Sequence, residues 1–526
     1  MSKVAMSPKR TLRQLLDSRA RQTPDEVFAI CDDREIDFRT LERSVYQLTN
    51  GLSKIGVGPG QRVAVMLNNH ADHVFTFFAL SALGAVWVPV NVNLRGGSLE
   101  WIFSKASPRA IIAEGEYWGL LESLSSALSL EAVVLRGATA GLSQSAGAID
   151  YAIVAGEDSR PPAATPAIHD TRAIMFTSGT TGMPKGALMT ERMLRTCATG
   201  AGIAADVQPG DVFLLWEPIY HSAGAEMCVL ALQESITLAI VPRFSASRFW
   251  DQVHRYGVTK LHYLGGVLEI LLKQAPRPDD RSHSIILAFG AGCTPRIWEA
   301  FEQRFGIRVR EVYGLTEGSG FTTLNASGKV GSIGKPYPYL DVQVVDEAGN
   351  PLPPGHVGEI IMRGKEPGLI TEGYLENPEA TAAALRNGWL YTGDLGRYDE
   401  EGDFYYIGRK NDNIRRRGEN ISAWEVERVL NSHPLIQESA VVGVPAEVGE
   451  EDLKAFIQCV SGATLDPVEL IRWCEPRMPY FQIPRYIAWV NGFDKTPTQR
   501  IRKKSLSRDT RDCWDLERSG VQIKRL

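Results

Sequence analysis

The segment IMFTSGTTGMPKG, from Ile174 to Gly186, constrains this chain more than any other. An apolar, strand-like run leads into residues 177–183, seven positions of which six are Ser, Thr or Gly. Gly179 and Gly182 allow tight turns that point backbone N–H groups at an anion, and Lys185 adds a positive charge. The residues that add hydroxyl donors are Thr177, Ser178, Thr180 and Thr181. The segment therefore predicts a polyphosphate-binding loop.

This loop differs from a Walker loop, because Pro184 precedes the lysine and Gly186 follows it, where a Ser or Thr would hold Mg²⁺. The alternative is a solvent-exposed Ser/Gly loop without a ligand. The density of hydroxyl, glycine and lysine residues favours phosphate binding over that alternative.

Strand-like runs and helical patterns alternate on both sides of the loop. RVAVMLNN and WVPVN are typical of buried strands, and SIILAFGAGCTPRIWEAFEQRFG of a strand, a small-residue turn and a helix. This alternation predicts an α/β fold with doubly wound parallel sheets. Past Gly331, short strands with turn residues predict a small β-barrel or meander. Residues 136–167 are rich in Ala, Gly, Ser and Pro, which predicts a weakly structured connection.

The chain has 526 residues, which exceeds the size of one hydrophobic core, so two or more domains are expected. A charge run, GRKNDNIRRRGEN, precedes a final piece with the pattern strand–helix–strand–helix–strand. We expect a large N-terminal domain over residues 1–410 and a small α+β C-terminal domain over residues 411–526.

Composition excludes several classes of protein. The net charge of −5 is small for this length and gives no reason to expect nucleic-acid binding. Seven scattered cysteines, never in a CxxC pair, are typical of reduced thiols in a cytoplasmic protein without disulfides or a zinc site. Gly84 and Pro89 interrupt the apolar run 74–92, which predicts a buried helix and strand in place of an integral membrane segment. The oligomeric state stays open, with a homodimer as one arrangement.

Two further motifs follow the loop. YGLTE, from Tyr313 to Glu317, ends the strand-like run VREV, at the edge where open α/β sheets bind ligands. YTGD ends at Asp394, and GRK begins fourteen residues later at Gly408. Alone, YGLTE is also compatible with a strand cap and YTGD with a simple turn. Together with TSGTTGMPKG they resemble the motifs of the adenylate-forming enzymes, which include acyl- and aryl-CoA synthetases, luciferases and peptide-synthetase adenylation domains.

This resemblance covers residues from about 11 to 506 and implies a nucleotide site. It implies that Tyr313 stacks on adenine, Thr316 contacts the α-phosphate and Glu317 helps to hold Mg²⁺. It also implies that Asp394 accepts the ribose hydroxyls and that Arg409 adds a ribose or phosphate contact. These residue types suit such tasks: a π-face, a hydroxyl donor and hard oxygen ligands. The other ATP/AMP-binding residues that the resemblance implies are Gly290, Ala291, Gly292, Glu311, Val312, Gly314 and Tyr406.

His221, in EPIYHSAG, resembles the family's gate between nucleotide and acid, although a lone histidine is often structural. The predicted acyl pocket consists of His221, Gly265, Gly266, Gly290 and Gly314. The implied reaction starts with a small-molecule carboxylic acid, which is ionised at neutral pH and needs no general base. The acid attacks the α-phosphorus of ATP, and coenzyme A, as the co-substrate, then takes the acyl group from the adenylate.

The C-terminal motifs depart from the family pattern. The resemblance implies that the small C-terminal domain is mobile about a hinge at Asn411, where relatives more often carry Asp or Lys. The following IRRRGENIS resembles the loop that faces the thiol step, and the whole stretch looks most like the carnitine/crotonobetaine-CoA ligase branch. Its residues Arg416, Arg417, Gly418 and Glu419 are therefore predicted to meet coenzyme A. The alternative is a solvated basic surface.

The usual catalytic lysine of the family lies in a PTGKI context, but this chain has PTQRIRK. Arg500 takes the place of that lysine, with Lys503 as the alternative source of the charge. A rival function keeps the adenylation but transfers the acyl group to an amine, a carrier protein or another nucleophile. A non-catalytic relative would lack Lys185, Glu317 or Asp394, all of which are present.

Overall fold

The computed structural model describes residues 9–125, 128–137, 147–177, 184–264, 266–410, 413–416, 419–446, 451–496 and 500–523. The helices, in chain order, are α1 (Leu12–Gln22), α2 (Phe38–Lys54), α3 (Ala71–Leu83), α4 (Gly96–Ala106), α5 (Trp118–Ser125), α6 (Tyr151–Ala155), α7 (Glu191–Ala205), α8 (Ser222–Gln233), α9 (Phe249–Tyr256), α10 (Val267–Leu272), α11 (Pro295–Phe305), α12 (Pro378–Ala384), α13 (Ala423–Asn431) and α14 (Pro467–Cys474).

The strands fall into an earlier and a later group. The earlier strands are β1 (Val27–Cys31), β2 (Arg34–Asp37), β3 (Arg62–Met66), β4 (Val86–Pro89), β5 (Ala110–Glu114), β6 (Ala132–Arg136), β7 (Ile149–Asp150), β8 (Thr171–Thr177), β9 (Lys185–Thr190), β10 (Val212–Leu215), β11 (Thr237–Ile240), β12 (Lys260–Leu264), β13 (Leu287–Ala291) and β14 (Arg308–Tyr313). The later strands are β15 (Thr323–Leu324), β16 (Lys335–Pro336), β17 (Leu340–Val345), β18 (Gly358–Gly364), β19 (Leu385–Arg386), β20 (Trp389–Tyr398), β21 (Phe404–Arg409), β22 (Asn413–Arg416), β23 (Glu419–Ser422), β24 (Ile436–Pro445), β25 (Glu451–Cys459), β26 (Tyr486–Trp489) and β27 (Trp514–Asp515).

A seven-stranded sheet carries the predicted phosphate loop. Its strand order is β7–β6–β5–β3–β4–β8–β9, and neighbours from β7 to β8 run parallel. The last pair, β8 and β9, is antiparallel, so the loop joins two adjacent strands as a hairpin. Ala173, Ile174 and Met175 of β8 are buried, which is why this run is apolar. The run 74–92 forms the end of α3 and β4, as predicted, and no described helix is long and apolar enough to span a membrane.

A second, nine-stranded sheet has the order β16–β15–β14–β13–β12–β10–β11–β1–β2. The central strands run parallel, so β10, β12, β13 and β14 end at the same edge. That edge is where ligands bind in open α/β sheets. The predicted pair β1 and β2 forms, but it lies beside β11 at the far end of this sheet. A local pattern predicts such a pair without indicating which sheet it joins.

The later part of the large domain is an antiparallel sheet in which β20 pairs with β18, β19 and β21. The described residues form an open meander here in place of a closed barrel, because β17 and β21 lie on opposite sides of the β18–β20 pair. The segment 136–167 is more ordered than predicted, since its described part contains β7 and α6.

The C-terminal part has its own hydrophobic core. Side chains from Ile414 to Leu516 pack together, and no described residue before Ile414 belongs to this cluster. The core lies between α13, α14 and the four-stranded sheet β24–β25–β26–β27. The chain thus has an α/β architecture with a large N-terminal domain and a separate small α+β C-terminal domain.

Candidate active site

The two ends of the predicted phosphate loop meet the YGLTE segment. Thr177, the last residue of β8, donates a hydrogen bond from its hydroxyl to Oε1 of Glu317 at 3.2 Å. The Tyr374 hydroxyl donates to the same oxygen at 3.0 Å. Lys185, the first residue of β9, holds its ammonium 5.3 Å from the centre of the Tyr374 ring. A cation, two hydroxyls and a buried carboxylate therefore lie together at the base of the loop.

Trp101 fixes the end of the same loop, because its indole N–H donates to the carbonyl of Pro184 at 2.9 Å. Sequence reasoning missed both Trp101 and Tyr374. The signal at Tyr374 is only an aromatic residue after a glycine in ITEGYL, a pattern too common to predict a site.

Tyr313 and Arg409 hold Asp394 from two sides. The Tyr313 hydroxyl donates to Oδ2 of Asp394 at 2.7 Å, and Nε of Arg409 lies 2.8 Å from Oδ1. Burial raises the pKa of Asp394 above its ordinary value, against the opposing effect of the Arg409 charge. The Tyr406 ring lies 6.0 Å from the Tyr313 ring, and Trp424 of the C-terminal domain packs edge-on against Tyr406. Residues of YGLTE, YTGD and GRK, which the sequence grouped only by resemblance, thus touch one another.

Glu311 holds the turn that follows β13. Its carboxylate accepts hydrogen bonds from the backbone N–H of Gly292 at 2.6 Å and of Cys293 at 3.2 Å. The Tyr263 hydroxyl donates to the other oxygen at 2.5 Å. Burial raises the pKa of Glu311 to about 8. Glu311 was predicted to bind nucleotide, and its contacts show that it positions the turn 290–292; Ala291 and Val312 lie beside it at the strand ends.

At two of the predicted pocket glycines, any side chain would collide with a neighbouring backbone carbonyl. A Cβ at Gly290 would lie 1.8 Å from the carbonyl oxygen of Tyr263, and one at Gly314 would lie 1.7 Å from that of Gly320. Gly266 differs, because a Cβ there would meet no atom within 4 Å. Among these three glycines, Gly266 is therefore the one that borders open space.

His221 caps the start of α8, where its Nδ1 accepts a hydrogen bond from the backbone N–H of Ala223 at 3.2 Å. Burial, together with the charges of Arg500 and His262, lowers the pKa of His221 to about 4. The imidazole is therefore neutral at physiological pH.

Arg500 comes from the C-terminal domain and reaches the same region. Its positive charge lowers the pKa of both His221 and Asp394. Lys503 instead lies 2.7 Å from Oε1 of Glu427, within its own domain. Of the two alternatives that the sequence left open, Arg500 is the one whose charge acts on the large domain.

Arg416 is buried and bonded within the C-terminal domain. Its guanidinium donates to Asp452 at 2.8 Å and to the carbonyls of Phe481 and Ile483 at 3.1 and 2.8 Å. This placement argues against the predicted contact between Arg416 and coenzyme A, because the guanidinium is already paired with a carboxylate and two carbonyls of its own domain. The backbone of Glu419 pairs with Arg416 across the β22–β23 hairpin.

Several predicted site residues lie outside the described residues. They are Ser178, Gly179, Thr180, Thr181 and Gly182 of the phosphate loop, Gly265 of the acyl pocket, Asn411 of the hinge, and Arg417 and Gly418 of the predicted coenzyme A loop. Thr316 begins a short 3₁₀ turn that places Glu317 beside Thr177.

The site combines a strand-end edge of a large doubly wound domain with one arginine supplied by a small second domain. This two-domain arrangement agrees with the resemblance to the adenylate-forming enzymes. Residues 16–375 match the sequence profile of the AMP-binding enzyme family, and residues 425–500 match that of the AMP-binding enzyme C-terminal domain. The chain belongs to the AMP-binding enzyme family.

Individual relatives agree in sequence and in fold. The crotonobetaine/carnitine–CoA ligase of Salmonella paratyphi C is 30% identical over 517 residues, which cover 94% of this chain and 98% of the relative. The structure of the anthranilate CoA ligase AuaEII in complex with anthranoyl-AMP is similar with a TM-score of 0.86 and 24% identity, covering 96% of this chain and 98% of that one. The amide bond synthetase McbA of Marinactinospora thermotolerans has a TM-score of 0.80 and 23% identity over 94% of this chain and 98% of its own. These two structures show a shared fold.

Proposed function

We propose that this protein is an ATP-dependent acyl-CoA synthetase that activates a small-molecule carboxylic acid as its adenylate and transfers the acyl group to coenzyme A. The observation that carries the proposal is the convergence of Lys185, Glu317, Asp394 and Arg500 on one site. Tyr374 contacts both Lys185 and Glu317, and the charges of Glu317 and Asp394 both act on Arg409. The charge of Arg500, from the second domain, acts on Asp394. The family and the 30% identity to a CoA ligase support the same reaction.

In the first half-reaction, an oxygen of the ionised acid attacks the α-phosphorus of ATP. The bond from that phosphorus to the oxygen bridging to the β-phosphate breaks, and pyrophosphate leaves with the electron pair. The enzyme supplies position and charge, since the acid needs no base. Lys185 and the loop N–H groups stabilise the departing pyrophosphate, and Thr316 contacts the α-phosphate.

Glu317 is the residue that would hold Mg²⁺. A buried carboxylate is the hard oxygen ligand that this ion prefers, and the hydroxyls of Thr177 and Tyr374 orient it through Oε1. When bound, Mg²⁺ neutralises part of the polyphosphate charge.

The remaining nucleotide contacts follow from the pairings in the site. Asp394, held by Tyr313 and Arg409, accepts the ribose hydroxyls, and the Tyr313 ring packs on the adenine. Neutral His221 separates the nucleotide from the acid, and Arg500 bridges the carboxylate and the α-phosphate in place of the usual lysine.

In the second half-reaction, a thiolate attacks the acyl carbonyl, the bond to the phosphate oxygen breaks and AMP leaves. We place the domain boundary after Lys410 and the hinge at Asn411, so that rotation of the small domain brings Arg417, Gly418 and Glu419 to the acceptor. The protein acts in the cytoplasm, where its seven free cysteines stay reduced. A homodimer is compatible with this function.

A second candidate is an enzyme that passes the acyl group to an amine. The buried, fully engaged Arg416 favours it, because one residue predicted to meet coenzyme A is committed to the domain core. The fold gives no preference, since it is shared with an amide bond synthetase.

ATP–pyrophosphate exchange over a broad panel of carboxylic acids, with crotonobetaine and carnitine included, tests the first half-reaction. Exchange with at least one acid is expected, and its absence with every acid contradicts the proposal. Addition of coenzyme A should then give a thioester detectable by mass spectrometry. Exchange without thioester, accompanied by amide formation with added amines, selects the second candidate.

A further inference from the structure

Two positively charged side chains of the large domain donate hydrogen bonds to the small domain. Nζ of Lys273, the residue after α10, donates to the carbonyl oxygen of Gln437 at 2.6 Å. Nη2 of Arg296, in α11, donates to the carbonyl oxygen of Asn431 at 3.3 Å. The partners are 164 and 135 residues apart in the sequence, so the covalent connection between the domains does not impose these contacts.

Both acceptors are carbonyls that the secondary structure of the small domain leaves free. Asn431 is the last residue of α13, and the carbonyls of a helix's last turn have no partner within the helix. Gln437 lies in β24 between Ile436 and Glu438, the two residues across which the pairing with β25 shifts register. Such a bulge leaves its extra residue unpaired. The large domain therefore supplies donors at two places where the small domain has carbonyls to spare.

The position of Arg296 in its own helix does not explain its charge. Arg296 is the second residue of α11, and the helix dipole opposes a positive charge at that end. The C-terminal end of α13 favours a positive charge, and Arg296 meets that end at Asn431. Lys273 is oriented by its own helix, since Oε1 of Glu269, one turn earlier, lies 2.8 Å from its ammonium. The guanidinium of Arg296 is thus placed to suit the other domain.

These contacts occur in the arrangement of the domains in which Arg500 reaches the large domain. In this arrangement the charge of Arg500 acts on His221 and Asp394. Rotation of the small domain about the proposed hinge moves both carbonyls but neither cation, so it breaks both hydrogen bonds. Lys273 and Arg296 are exposed, so water replaces the lost partners and keeps the cost of opening small.

We propose that Lys273 and Arg296 are positioning residues for adenylation, which hold the small domain in the arrangement that brings Arg500 to the acid and the α-phosphate. The proposal rests on the adenylation function proposed above and adds which contacts favour its first half-reaction. Removal of both cations shifts the population towards other arrangements of the small domain. Adenylation then slows because fewer molecules hold Arg500 in place, whereas acyl transfer does not use these contacts.

The test measures the two half-reactions separately in Lys273→Ala, Arg296→Ala and the double variant. With an acid that the wild type activates, the double variant should form acyl-adenylate about 10-fold more slowly in a single turnover. Transfer of the acyl group from supplied acyl-adenylate should be as fast as in the wild type or faster. Lys273→Arg combined with Arg296→Lys keeps both charges and should restore most of the adenylation rate. Arg277→Ala, which removes an exposed cation paired with Asp279, is the control.

A second measurement needs no activity. Deuterium uptake by the backbone amides of the ligand-free protein reports how firmly the small domain is held. The double variant should take up deuterium faster than the wild type in the last turn of α13, because that turn loses its contact with Arg296. Uptake in β5, which lies in the seven-stranded sheet, should stay unchanged.

The possible outcomes separate this proposal from the adenylation function. Wild-type adenylation in the double variant overturns the proposal, as does an equal loss in both half-reactions, which would indicate general damage to the fold. Unchanged deuterium uptake in α13 also overturns it. Each of these results leaves the adenylation function intact. Absence of ATP–pyrophosphate exchange in the wild type with every acid defeats the adenylation function, and deuterium uptake alone then decides whether the two cations hold the small domain.

Discussion

Asp394 and Arg409 face each other across β20 and β21, with Nε of Arg409 2.8 Å from Oδ1 of Asp394. The Tyr313 hydroxyl holds the other oxygen, so the carboxylate is oriented before any ligand arrives. Such an arrangement lowers the cost of ordering the site when a ligand binds. In the proposed reaction this carboxylate receives the ribose hydroxyls.

Asp394→Asn should raise the KM for ATP about 10-fold to 100-fold, because it removes a charged acceptor and leaves Arg409 without its partner. The measurement is ATP–pyrophosphate exchange at varied ATP. Asp341→Asn is the control, since Asp341 pairs with Arg363 on the surface of the antiparallel sheet. An unchanged KM in Asp394→Asn would show that this carboxylate does not contact the nucleotide.

Lys185→Ala should slow exchange by about 100-fold or more, because the loop loses its only charged side chain where pyrophosphate departs. The melting temperature should change little, since the ammonium contacts a ring face and completes no buried ion pair in the described structure. Lys335→Ala, on an exposed strand, is the matched control. Equal exchange rates in the two variants would exclude Lys185 from the phosphate site.

Much of the fold was predictable because its signals are local. The alternation of apolar runs and helical patterns predicts parallel strands, and the fourteen-residue spacing from YTGD to GRK becomes the direct pairing of Asp394 with Arg409 in a hairpin. Sheet membership was not predictable in this way. The β1–β2 pair joins β11, more than 200 residues later, through contacts that no local pattern records.

The site was predictable where a motif fixes the residue, and less so where tertiary contacts decide its task. Glu311 carries a carboxylate suited to a ligand, yet its oxygens are used by Gly292, Cys293 and Tyr263. Arg416 lies in a basic run that suggests a solvated or phosphate-binding surface, yet it is buried against Asp452. Residue type alone does not distinguish a ligand contact from a structural one.

Arg500→Ala should slow adenylation far more than it slows thioester formation from supplied acyl-adenylate, because its charge acts on the large domain next to His221 and Asp394. Lys503→Ala should leave both steps nearly unchanged, although it removes the ion pair with Glu427. Single-turnover measurements of each half-reaction provide the test. Equal losses in both steps for Arg500→Ala, or a larger adenylation defect in Lys503→Ala, would contradict this assignment.

Glu226 should make stability depend on pH in a defined direction. Its pKa in the folded protein is about 8, above the ordinary value of 4.5, because burial favours the protonated carboxyl. The stability that this protonated carboxyl contributes is therefore fully present below pH 4.5 and is lost as pH rises through 8. Glu226→Gln mimics the protonated form and should therefore gain stability over the wild type as pH rises from 5 to 9. Melting temperatures at both pH values measure this, with Glu347→Gln, in an exposed turn, as the control. A constant difference across the range would show that Glu226 does not titrate there.

Three glycine substitutions should separate backbone packing from open space. Gly314→Ala places a methyl group against the carbonyl of Gly320, and the resulting backbone shift should cost about 1–3 kcal/mol and displace Glu317. Gly266→Ala meets no atom within 4 Å, so it should fold normally but disfavour the larger acids of a panel. Gly58→Ala, also in open space and far from the site in sequence, is the control for both. Urea unfolding and exchange across the panel measure the two effects.

A stable, active Gly314→Ala variant would mean that the YGLTE segment tolerates movement. An unchanged acid preference in Gly266→Ala would remove Gly266 from the acid pocket.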